Sequence, residues 1–396
     1  MKYKTIGNDF TVDNSIINDT DCQDDKLKSE LLKRFKPKKI LCKYLSESFR
    51  RLGDKQKSFR VKHCGDWLEW KVPLDSDSVS RGGSTGVPVG NLSDPATFEF
   101  RPTLYNANFC RERLCPMCSF RRSLKIFCQV SQIMDIINSD FDFIFLTLTV
   151  RNCSSDELKK TITRMQSAWR NSFRDRANFK KVVKGYFKVL EVTHNLKPFS
   201  KSYDTYHPHF HCILVVGKGY FTSRDYIKRD EWLDMWQKAY KDPLITQVDV
   251  RRVKAKKEIE QGESFAKALS SAVVEVAKYT VKASDYIGKL DNNGNLIKKY
   301  NNKVIDSAVS TLSSSLKNRR LVEFGGIFKE IHQQLQLDDC ENGDLIHIND
   351  DEIRSDVAYM IYKYHWNAGI NEYELYAKNF LDSSIMFDSE TGEIIE

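Results

Sequence analysis

The sequence predicts an α+β fold whose centre is a ferredoxin-like (split-βαβ) antiparallel sheet, with a cysteine-rich module before it and a mainly helical region after it. Short β-rich apolar runs alternate along the chain with segments whose apolar residues recur at helical spacing. Between residues 143 and 282 these segments follow the order βαββαβα, which is the order of a split-βαβ sheet backed by helices. Cysteines at short spacing mark the module that precedes the sheet.

The predicted strands and helices have distinct patterns. Residues 144–150 form a nearly continuous apolar run, which predicts a buried first strand. Ser154 and Glu157 form a capping-box pattern, and the helix that follows has five apolar residues at helical spacing: Leu158, Ile162, Met165, Trp169 and Phe173. The remaining predicted elements are strands at 185–193, 206–216 and 245–253, helices at 223–240 and 264–282, and a helical segment at 312–335 interrupted at Gly325-Gly326.

The composition narrows the class of protein. A hydrophobic content of 41% and an aromatic content of 12% are enough to fill real cores, which excludes wholesale disorder. We expect a soluble cytoplasmic protein, because no run of 18 apolar residues and no signal-peptide pattern occurs. Ten cysteines in such a chain favour metal ligands and buried thiols over disulfides.

Charge is distributed unevenly along the chain. The net charge is +8, yet residues 338–396 hold three basic against fifteen acidic side chains, so the preceding part is strongly basic. Within it, residues 26–62 hold fourteen Lys and Arg against three acidic residues. A basic body attracts polyanions, of which nucleic acid is the usual one, although a merely solvated basic surface would give the same composition.

Three of the eight histidines alternate along one predicted strand. Successive strand residues point to opposite faces, so His207, His209 and His211 would project to the same side. Imidazoles placed in this way can converge on a metal ion. The alternative interpretation is a polar strand edge that happens to contain histidines.

The predicted helix at 264–282 has two different faces. At about 100° per residue, an apolar face should pack on the sheet, and an opposite polar face brings together Glu275, Tyr279 and Lys282, with Lys278 at its border. A phenol can act as an oxygen nucleophile, a carboxylate can activate water and an ammonium can neutralise phosphate charge, so this face suits phosphoryl transfer. An ordinary solvated helix face is the alternative. The residues predicted to face the sheet are Leu269, Val273, Val276 and Thr280.

The cysteine pattern predicts a second metal site. Cys110, Cys115 and Cys118 have zinc-knuckle spacing, with Cys64 as a plausible fourth ligand and His63 as its alternative. Three structural thiols are the competing interpretation. The other cysteines are interpreted as isolated thiols, mostly in buried packing: Cys22, Cys42, Cys128, Cys153, Cys212 and Cys340. Five basic residues are expected to give the module a phosphate-facing surface: Arg111, Arg113, Arg121, Arg122 and Lys125.

Several ordered motifs together resemble those of the replication initiators of rolling-circle plasmids, a branch of the HUH endonuclease superfamily. They are Phe145-Leu146-Thr147-Leu148-Thr149, His207-Pro208-His209-Phe210-His211 and Glu275-Val276-Ala277-Lys278-Tyr279-Thr280-Val281-Lys282. The segments 110–118 and 318–321 are also similar to that family. The likeness spans about residues 60–335 and leaves out residues 1–45 and the acidic tail.

The resemblance implies roles for individual residues. His209 and His211 would bind one Mg²⁺ or Mn²⁺ ion. The third ligand would be Glu191, because a carboxylate on the neighbouring strand suits a hard cation, or else His207. Tyr279 would attack a DNA phosphate to give a 5′-phosphotyrosine, and Glu275 would activate the water that terminates the reaction. Lys282, and less surely Lys278, would hold the scissile phosphate.

The same resemblance suggests how the chain is divided. We expect a polar, basic N-terminal extension at 1–45, a zinc-binding, DNA-binding module at 46–130, an HUH endonuclease domain at 140–290 and a mainly helical region with an acidic tail at 300–396. The implied partners are plasmid origin DNA (single-stranded at the nick, duplex for recognition), a host helicase and polymerase, and a second copy of the chain, with no membrane.

Three alternative functions remain: a relaxase or single-strand transposase, a non-catalytic zinc-dependent DNA-binding regulator, and a metallohydrolase acting on a small substrate.

Overall fold

The computed structural model describes residues 27–73, 102–253, 270–277, 280–291, 296–348, 359–381, 386–387 and 394–395. Within these residues two larger antiparallel sheets, two two-stranded sheets and the helices around them make a mixed α+β fold. The helices are α1 Lys36–Arg51, α2 Lys55–Lys62, α3 Pro116–Ile137, α4 Leu158–Ala168, α5 Ala177–Val182, α6 Arg229–Tyr240, α7 Ser270–Ala277, α8 Asn302–Leu316 and α9 Ile327–Gln334. The strands are β1 Trp67–Pro73, β2 Thr103–Ala107, β3 Phe141–Thr149, β4 Val183–Asn195, β5 Thr205–Gly217, β6 Val248–Arg252, β7 Gly288–Leu290, β8 Leu296–Lys299, β9 Val322–Gly326, β10 Tyr359–Asn367, β11 Glu372–Leu381, β12 Met386–Phe387 and β13 Ile394–Ile395.

The central sheet has five strands in the order β6-β3-β5-β4-β9. Every neighbouring pair is antiparallel, and β5 lies in the middle with β3 on one side and β4 on the other. The register places His209 opposite Glu191 on β4, and His211 opposite Thr147 on β3. Because cross-strand partners share a face of the sheet, these four side chains lie on the same side.

The opposite face of the central sheet is covered by an aromatic core. α4 begins at Leu158, and of the two bonds of the predicted capping box only that from the Ser154 N–H to Glu157 Oε2, at 3.4 Å, is present. Its apolar stripe continues into a π-helical turn at Trp169–Phe173, where both aromatic rings are buried. The Trp169 ring lies 6.1 Å from that of Phe210 on β5, and Phe210 lies 6.3 Å from Trp236 on α6. This packing holds the histidine strand rigidly from behind.

The helix predicted at 264–282 does not extend to its predicted C-terminal end, and residues 264–269 of the prediction lie outside the described residues. Within the described residues α7 ends at Ala277, and its Val273 and Val276 are fully buried. The backbone at Lys282 is extended, with φ −84° and ψ 133°, so Lys282 does not continue the helical face and that part of the prediction is wrong. The Thr280 carbonyl accepts a hydrogen bond from the Val192 N–H at 2.7 Å, which draws this segment along β4 instead.

The predicted helix at 312–335 is also wrong over its middle. α8 ends at Leu316, and residues 322–326 form the edge strand β9 against β4. Two glycines allow the close approach of this strand: a Cβ at Gly325 would lie 2.2 Å from the Tyr186 ring, and Gly326 has φ +55° and would bring a Cβ to 2.2 Å from the Lys184 carbonyl oxygen. The Gly-Gly pair therefore belongs to a strand end and not to a helix interruption.

The expectation of a mainly helical C-terminal region is wrong for residues 359–381. They form the β10–β11 hairpin, which joins β1 and β2 in a four-stranded sheet of order β11-β10-β1-β2. The run of aromatic and β-branched residues in β10 suits a pleated, buried surface. None of the helices in the described part of the chain is long and apolar enough to cross a membrane.

Candidate metal centres

One candidate centre lies on the open face of the central sheet. The Nε2 atoms of His209 and His211 lie 3.2 and 2.9 Å from the same oxygen, Oε2 of Glu191. All three residues are buried, and one ligand atom from each lies within 4.8 Å of the other two. Cross-strand pairing of β4 with β5 produces this convergence, because Glu191 and His209 face each other and His211 follows two residues later.

The hydrogen bonds on the far side of each imidazole fit a bound cation. His209 Nδ1 lies 3.1 Å from the His207 carbonyl oxygen, which can only accept a hydrogen bond. A neutral His209 therefore has its single proton on Nδ1, and its Nε2 lone pair faces the Glu191 carboxylate. Two acceptors in this position repel each other unless positive charge lies between them, either a metal ion or an added proton. One carboxylate and two imidazoles with ordered outer hydrogen bonds are suitable ligands for Mn²⁺ or Mg²⁺.

Two further polar side chains lie at the edge of this centre. Glu275 Oε1 on α7 lies 3.8 Å from His211 Nε2, and the Glu275 side chain is one-third exposed. Lys282 Nζ forms an ion pair with Glu191 Oε1 at 2.9 Å. The structure thus brings Glu275 to His211 and Lys282 to Glu191, at the edge of the same centre. The predicted nucleophile Tyr279 and its neighbour Lys278 lie outside the described residues.

Charge balance in the centre depends on these contacts. Burial would raise the pKa of Glu191, but its contacts with His209, His211 and Lys282 outweigh burial and hold the pKa of this carboxyl far below its usual range. Burial also lowers the pKa of Lys282, while the bond to Glu191 raises it more, so the net shift is upward. Glu191 is therefore an ionised carboxylate, which is the form that a metal ion binds.

His207 lies apart from the three clustered ligands. Its ring centroid is 5.3 Å from that of His209, and its backbone carbonyl, not its imidazole, holds His209 in place. Burial and the neighbouring His209 lower the pKa of His207 to about 4. Of the two residues considered for the third ligand position, the structure clusters Glu191 with the other histidines and leaves His207 at the edge.

A second candidate centre consists of four buried cysteines. Cys64 follows α2 and Cys110 follows β2. Cys115 immediately precedes α3, and Cys118 lies in the first turn of that helix. Cys118 Sγ lies 3.6 Å from Cys64 Sγ and 3.7 Å from Cys110 Sγ, and the four sulfur atoms all lie within 4.8 Å of one another. His63 is not in this cluster, because its Nδ1 bonds to Asp66 Oδ2 at 2.6 Å.

Burial and hydrogen bonds have opposing effects on the four thiols. The backbone N–H of Arg111 donates to Cys118 Sγ at 3.2 Å, and that of Cys110 donates to Cys64 Sγ at 3.3 Å. Burial raises the pKa of Cys64 well above its ordinary value. For Cys115 burial acts in the same direction, but hydrogen bonds from Cys118, Cys42 and Cys64 lower its pKa to about 6. Four cysteine sulfur atoms at these distances are a ligand set that could hold a metal ion, and tetrahedral zinc, which binds cysteines as thiolates, fits such a set.

Two predictions about the cysteine module are wrong. Cys42 is not an isolated thiol, because its Sγ lies 3.6 Å from Cys115 Sγ in the same buried pocket. Three of the five basic residues expected to face phosphate are buried and bind the chain's own segment at 338–346. Arg121 Nε donates to the Leu345 carbonyl at 2.7 Å, Arg122 Nε donates to the Glu341 carbonyl at 3.0 Å, and Lys125 Nζ contacts Asp338 Oδ2 at 2.6 Å.

The sequence reasoning gave no role to Thr147. Its hydroxyl oxygen lies 3.1 Å from His211 Nδ1, so it fixes this ring as the His207 carbonyl fixes His209. The sequence does show a threonine within a mostly apolar strand. Which residue that threonine contacts depends on the register of β3 against β5, and local sequence does not give this register.

Comparison with known proteins identifies the family of this chain. A family model described as replication protein matches residues 101–374. The chain is 40% identical over 297 residues to "Protein rep" of Bacillus amyloliquefaciens, an alignment that covers 71% of this chain and 80% of that protein. It is 34% identical over 355 residues to "Protein rep" of Streptococcus pneumoniae serotype 2 (strain D39 / NCTC 7466), covering 88% and 94%. No solved structure matches the chain. The chain therefore belongs to the replication protein family, the Rep initiators of rolling-circle plasmids that its motifs resemble.

Proposed function

We propose that this Rep protein nicks one strand of plasmid origin DNA and becomes covalently attached to it through Tyr279. The observation that supports this most is the convergence of Glu191, His209 and His211 on one sheet face, with Glu275 and Lys282 at the edge. The strand order of the central sheet supports the HUH assignment: its first four strands in sequence lie in the spatial order fourth, first, third, second, as in a split-βαβ sheet.

Initiation is a transesterification. The Tyr279 phenolate oxygen attacks the scissile phosphorus, the bond to the 3′ oxygen breaks, and the products are a 5′-phosphotyrosine and a free 3′-OH that a polymerase can extend. Glu191, His209 and His211 would hold Mn²⁺ or Mg²⁺, which supplies Lewis-acid stabilisation of phosphate charge when bound. Lys282 uses one of its three N–H donors on Glu191, so the others remain available for the phosphate. Lys278 is proposed as a second, weaker phosphate contact.

Termination needs a nucleophile other than a second tyrosine. Glu275 is one-third exposed and lies 3.8 Å from His211, close enough to the centre to take a proton from a water molecule. The oxygen of this water then attacks the phosphorus of the regenerated origin, and the 3′ oxygen leaves. Because water is the nucleophile, this cleavage forms no second protein–DNA bond. The new 3′-OH then attacks the phosphorus of the 5′-phosphotyrosine, the Tyr279 phenolate leaves, and the enzyme is released after one round of synthesis.

The four-cysteine centre has a different role in this proposal. Zinc held by Cys64, Cys110, Cys115 and Cys118 ties α2, β2 and α3 together at a site separate from Glu191. The zinc centre is therefore structural, and it supports origin binding without taking part in the cleavage.

A covalent-adduct assay tests the nicking proposal. The full chain is incubated with Mn²⁺ and a single-stranded oligonucleotide from the plasmid origin, and denaturing electrophoresis detects a protein–DNA adduct. We expect an adduct from the wild type and none from Tyr279→Phe. Tyr203→Phe is the control, because this exposed tyrosine lies away from the centre. A full-strength adduct from Tyr279→Phe would exclude Tyr279 as nucleophile, and no adduct from the wild type would favour a non-catalytic regulator.

The same assay separates the two cleavage steps. Glu275→Ala should form the adduct at nearly the wild-type rate but terminate about 10²- to 10⁴-fold more slowly, the usual contribution of a general base. Release of the protein from a preformed adduct, in the presence of a regenerated origin strand, measures the second step. Equal loss of both steps would show that Glu275 does not act specifically in termination.

A further inference from the structure

A basic groove lies on the sheet face opposite to the Glu191 centre. Its volume is about 1130 Å³, and it is lined by α4, the π-helical turn, β4, β9, α9 and the loop at 317–320. Lys188 on its floor and Glu191 are three residues apart on β4, so their side chains point to opposite faces of the sheet. A ligand in this groove therefore does not occupy the metal centre.

Two of the three carboxylates that line the groove are engaged within the protein, and the third, Asp339, is exposed and accepts the backbone N–H groups of Glu341 and Asn342 at 2.7 and 2.9 Å. Glu323 Oε2 forms an ion pair with Lys188 Nζ at 3.0 Å. Glu323 Oε1 accepts hydrogen bonds from Arg174 at 3.2 Å and from the Tyr186 hydroxyl at 2.6 Å. Glu341 is buried and accepts the backbone N–H of Leu321 at 2.9 Å. Glu323 and Glu341 therefore serve the protein's own structure, and among the lining residues Asp339 is the one exposed carboxylate against four exposed cations.

Four exposed cations around the groove have unused donors. Arg170, Lys317 and Lys329 make no hydrogen bond or ion pair with other described residues, and Arg320 uses only its Nε, on the Val322 carbonyl at 3.2 Å. They belong to three separate parts of the chain: the π-helical turn, the loop after α8, and α9. Positive charge therefore surrounds the groove on several sides.

The loop that presents two of these cations is held in a fixed conformation. Asn318 has φ 57°, a left-handed conformation that turns the chain sharply after α8. Arg319 then fixes the loop to α4, donating to the Lys159 carbonyl at 3.0 Å, the Thr163 hydroxyl at 2.7 Å and Gln166 Oε1 at 3.2 Å. Lys317 and Arg320 are thus preorganised on either side of an anchored arginine, which lowers the entropy cost of binding an anion.

The aromatic rings that line the groove are not available to stack with bases. Tyr186 is 7% exposed, and its hydroxyl is bonded to Glu323. The Phe324 ring packs on those of Phe187 and His332, with centroid distances of 5.0 and 4.6 Å. Single-strand binding proteins generally offer stacking surfaces, whereas a duplex with paired bases is held through its phosphates.

From these observations we propose that the groove is a second DNA-binding surface, which binds the phosphodiester backbone of duplex DNA independently of base sequence. The unpaired cations, the anchored loop and the covered aromatic rings support this. The surface would hold duplex while the opposite face of the sheet acts on a single strand. The proposal requires that the protein binds DNA, as its family does, but not that Tyr279 is the nucleophile.

Charge reversal at two exposed groove lysines tests this surface. The full-length Lys317→Glu/Lys329→Glu variant should bind a random-sequence duplex about tenfold or more weakly at ~0.1 M salt, because two phosphate contacts are lost. The slope of log K against log salt, measured between roughly 50 and 200 mM salt, should also decrease in magnitude by about 1.8, or 0.9 per contact. Fluorescence anisotropy measures both quantities. Lys317→Gln/Lys329→Gln should show smaller shifts in the same direction.

The matched control is Lys303→Glu/Lys289→Glu, which makes the same charge change at exposed lysines outside the groove. Lys303 lies at the opposite end of α8 from Lys317, and Lys289 lies on β7. The control should keep the wild-type salt slope, and both variants should nick a short single-stranded oligonucleotide at the wild-type rate. An unchanged slope in the groove variant, or equal weakening on single strand and duplex, would overturn the proposal. So would tighter duplex binding, since it would indicate that the acidic tail of the chain occupies the groove.

Discussion

The orientation of single imidazole rings decides which nitrogen faces the candidate divalent site. His209 is held by a backbone carbonyl and His211 by the Thr147 hydroxyl, and in both rings Nε2 is directed at Glu191. Outer hydrogen bonds of this kind fix the tautomer and the angle of a ligand ring. Thr147 is therefore a positioning residue, because it acts on the site only through His211.

Replacement of Thr147 by valine keeps the shape of the side chain and removes its hydroxyl. We expect Thr147→Val to weaken Mn²⁺ binding by about 10- to 100-fold, the usual effect of losing an outer partner of a ligand. Isothermal titration calorimetry with Mn²⁺ measures the affinity without reference to cleavage. Thr149→Val is the control, since the Thr149 hydroxyl bonds to the Gln247 carbonyl at 2.9 Å instead. Equal affinities of Thr147→Val and wild type would show that the bond to His211 is not needed.

Local sequence predicts some of these residues and not others. The alternation of His207, His209 and His211 is enough to place them on one strand face, because the period of two is a property of the backbone. Choosing Glu191 over His207 requires the pairing of β4 with β5, and identifying Thr147 requires that of β3 with β5. Cys42 joins the cysteine cluster only because α1 packs against α3. Each of these depends on contacts between residues that are distant in sequence.

At the scale of elements, the packing of helices also depends on contacts between residues that are distant in sequence. Asp306 on α8 accepts hydrogen bonds from Arg51 Nε and Nη2, at 2.7 and 2.8 Å, and from the Ser48 hydroxyl at 2.6 Å, so α8 is tied to α1. Burial raises the pKa of Asp306, but its bonds with Arg51 and Ser48 lower it more, and the net shift is downward. The ionised carboxylate is therefore favoured in the folded state.

This downward shift predicts a pH-dependent contribution to stability. A carboxyl whose pKa is lower in the folded chain stabilises the fold above its unfolded pKa of about 3.9, and the contribution is lost as pH falls through the folded pKa. We expect Asp306→Asn to reduce the free energy of unfolding by about 1 kcal/mol at neutral pH, with the difference vanishing in acid. Urea unfolding at a series of pH values measures this difference in the free energy of unfolding.

The control is Asp234→Asn, which alters an exposed ion pair with Lys238 and should have little effect at any pH. A constant difference between Asp306→Asn and wild type down to acid pH would contradict the proposed linkage.

Elements formed from local patterns are predicted better than those that depend on distant partners. The α+β class and the antiparallel sheets are confirmed, and α4 begins at Leu158, four residues after the predicted cap Ser154. The helix predicted at 223–240 begins only at Arg229, because the Ser223 hydroxyl bonds locally to the Tyr220 carbonyl at 2.8 Å and favours a turn. Strand β9 was predicted as helix because the spacing of its apolar residues fits a helix as well as a strand. Its pairing with β4 makes it a strand.

At the scale of the whole molecule, residues 280–287 connect the two candidate metal centres. Thr280 bonds to β4, Lys282 pairs with Glu191, and the buried Tyr286 donates its hydroxyl proton to the Leu114 carbonyl at 2.6 Å, between Cys110 and Cys115. One short segment therefore contacts both the divalent site and the loop that contains the cysteines. Distortion of the cysteine cluster would be transmitted to Lys282 through this segment.

Removal of the Tyr286 hydroxyl tests this connection. Tyr286→Phe leaves the Leu114 carbonyl buried without its donor, which should reduce the free energy of unfolding by about 1–3 kcal/mol. Zinc content, measured by mass spectrometry, should remain that of the wild type, because no cysteine is changed. Tyr203→Phe, at an exposed position, should have neither effect. Loss of zinc from Tyr286→Phe would indicate that the tyrosine helps to form the cysteine cluster and does not only connect it to the second centre.

The position of β1 in its sheet also has a consequence for synthesis of the chain. β1 lies between β2 and β10, so one of its two neighbours is at residues 359–367, almost three hundred residues later. While the ribosome is still adding residues, β1 has an unpaired edge, and such edges pair readily with other chains. Contacts of this sequence separation also form slowly. A nascent or truncated chain that stops before residue 359 would therefore have an incomplete sheet around β1 and an edge prone to aggregation.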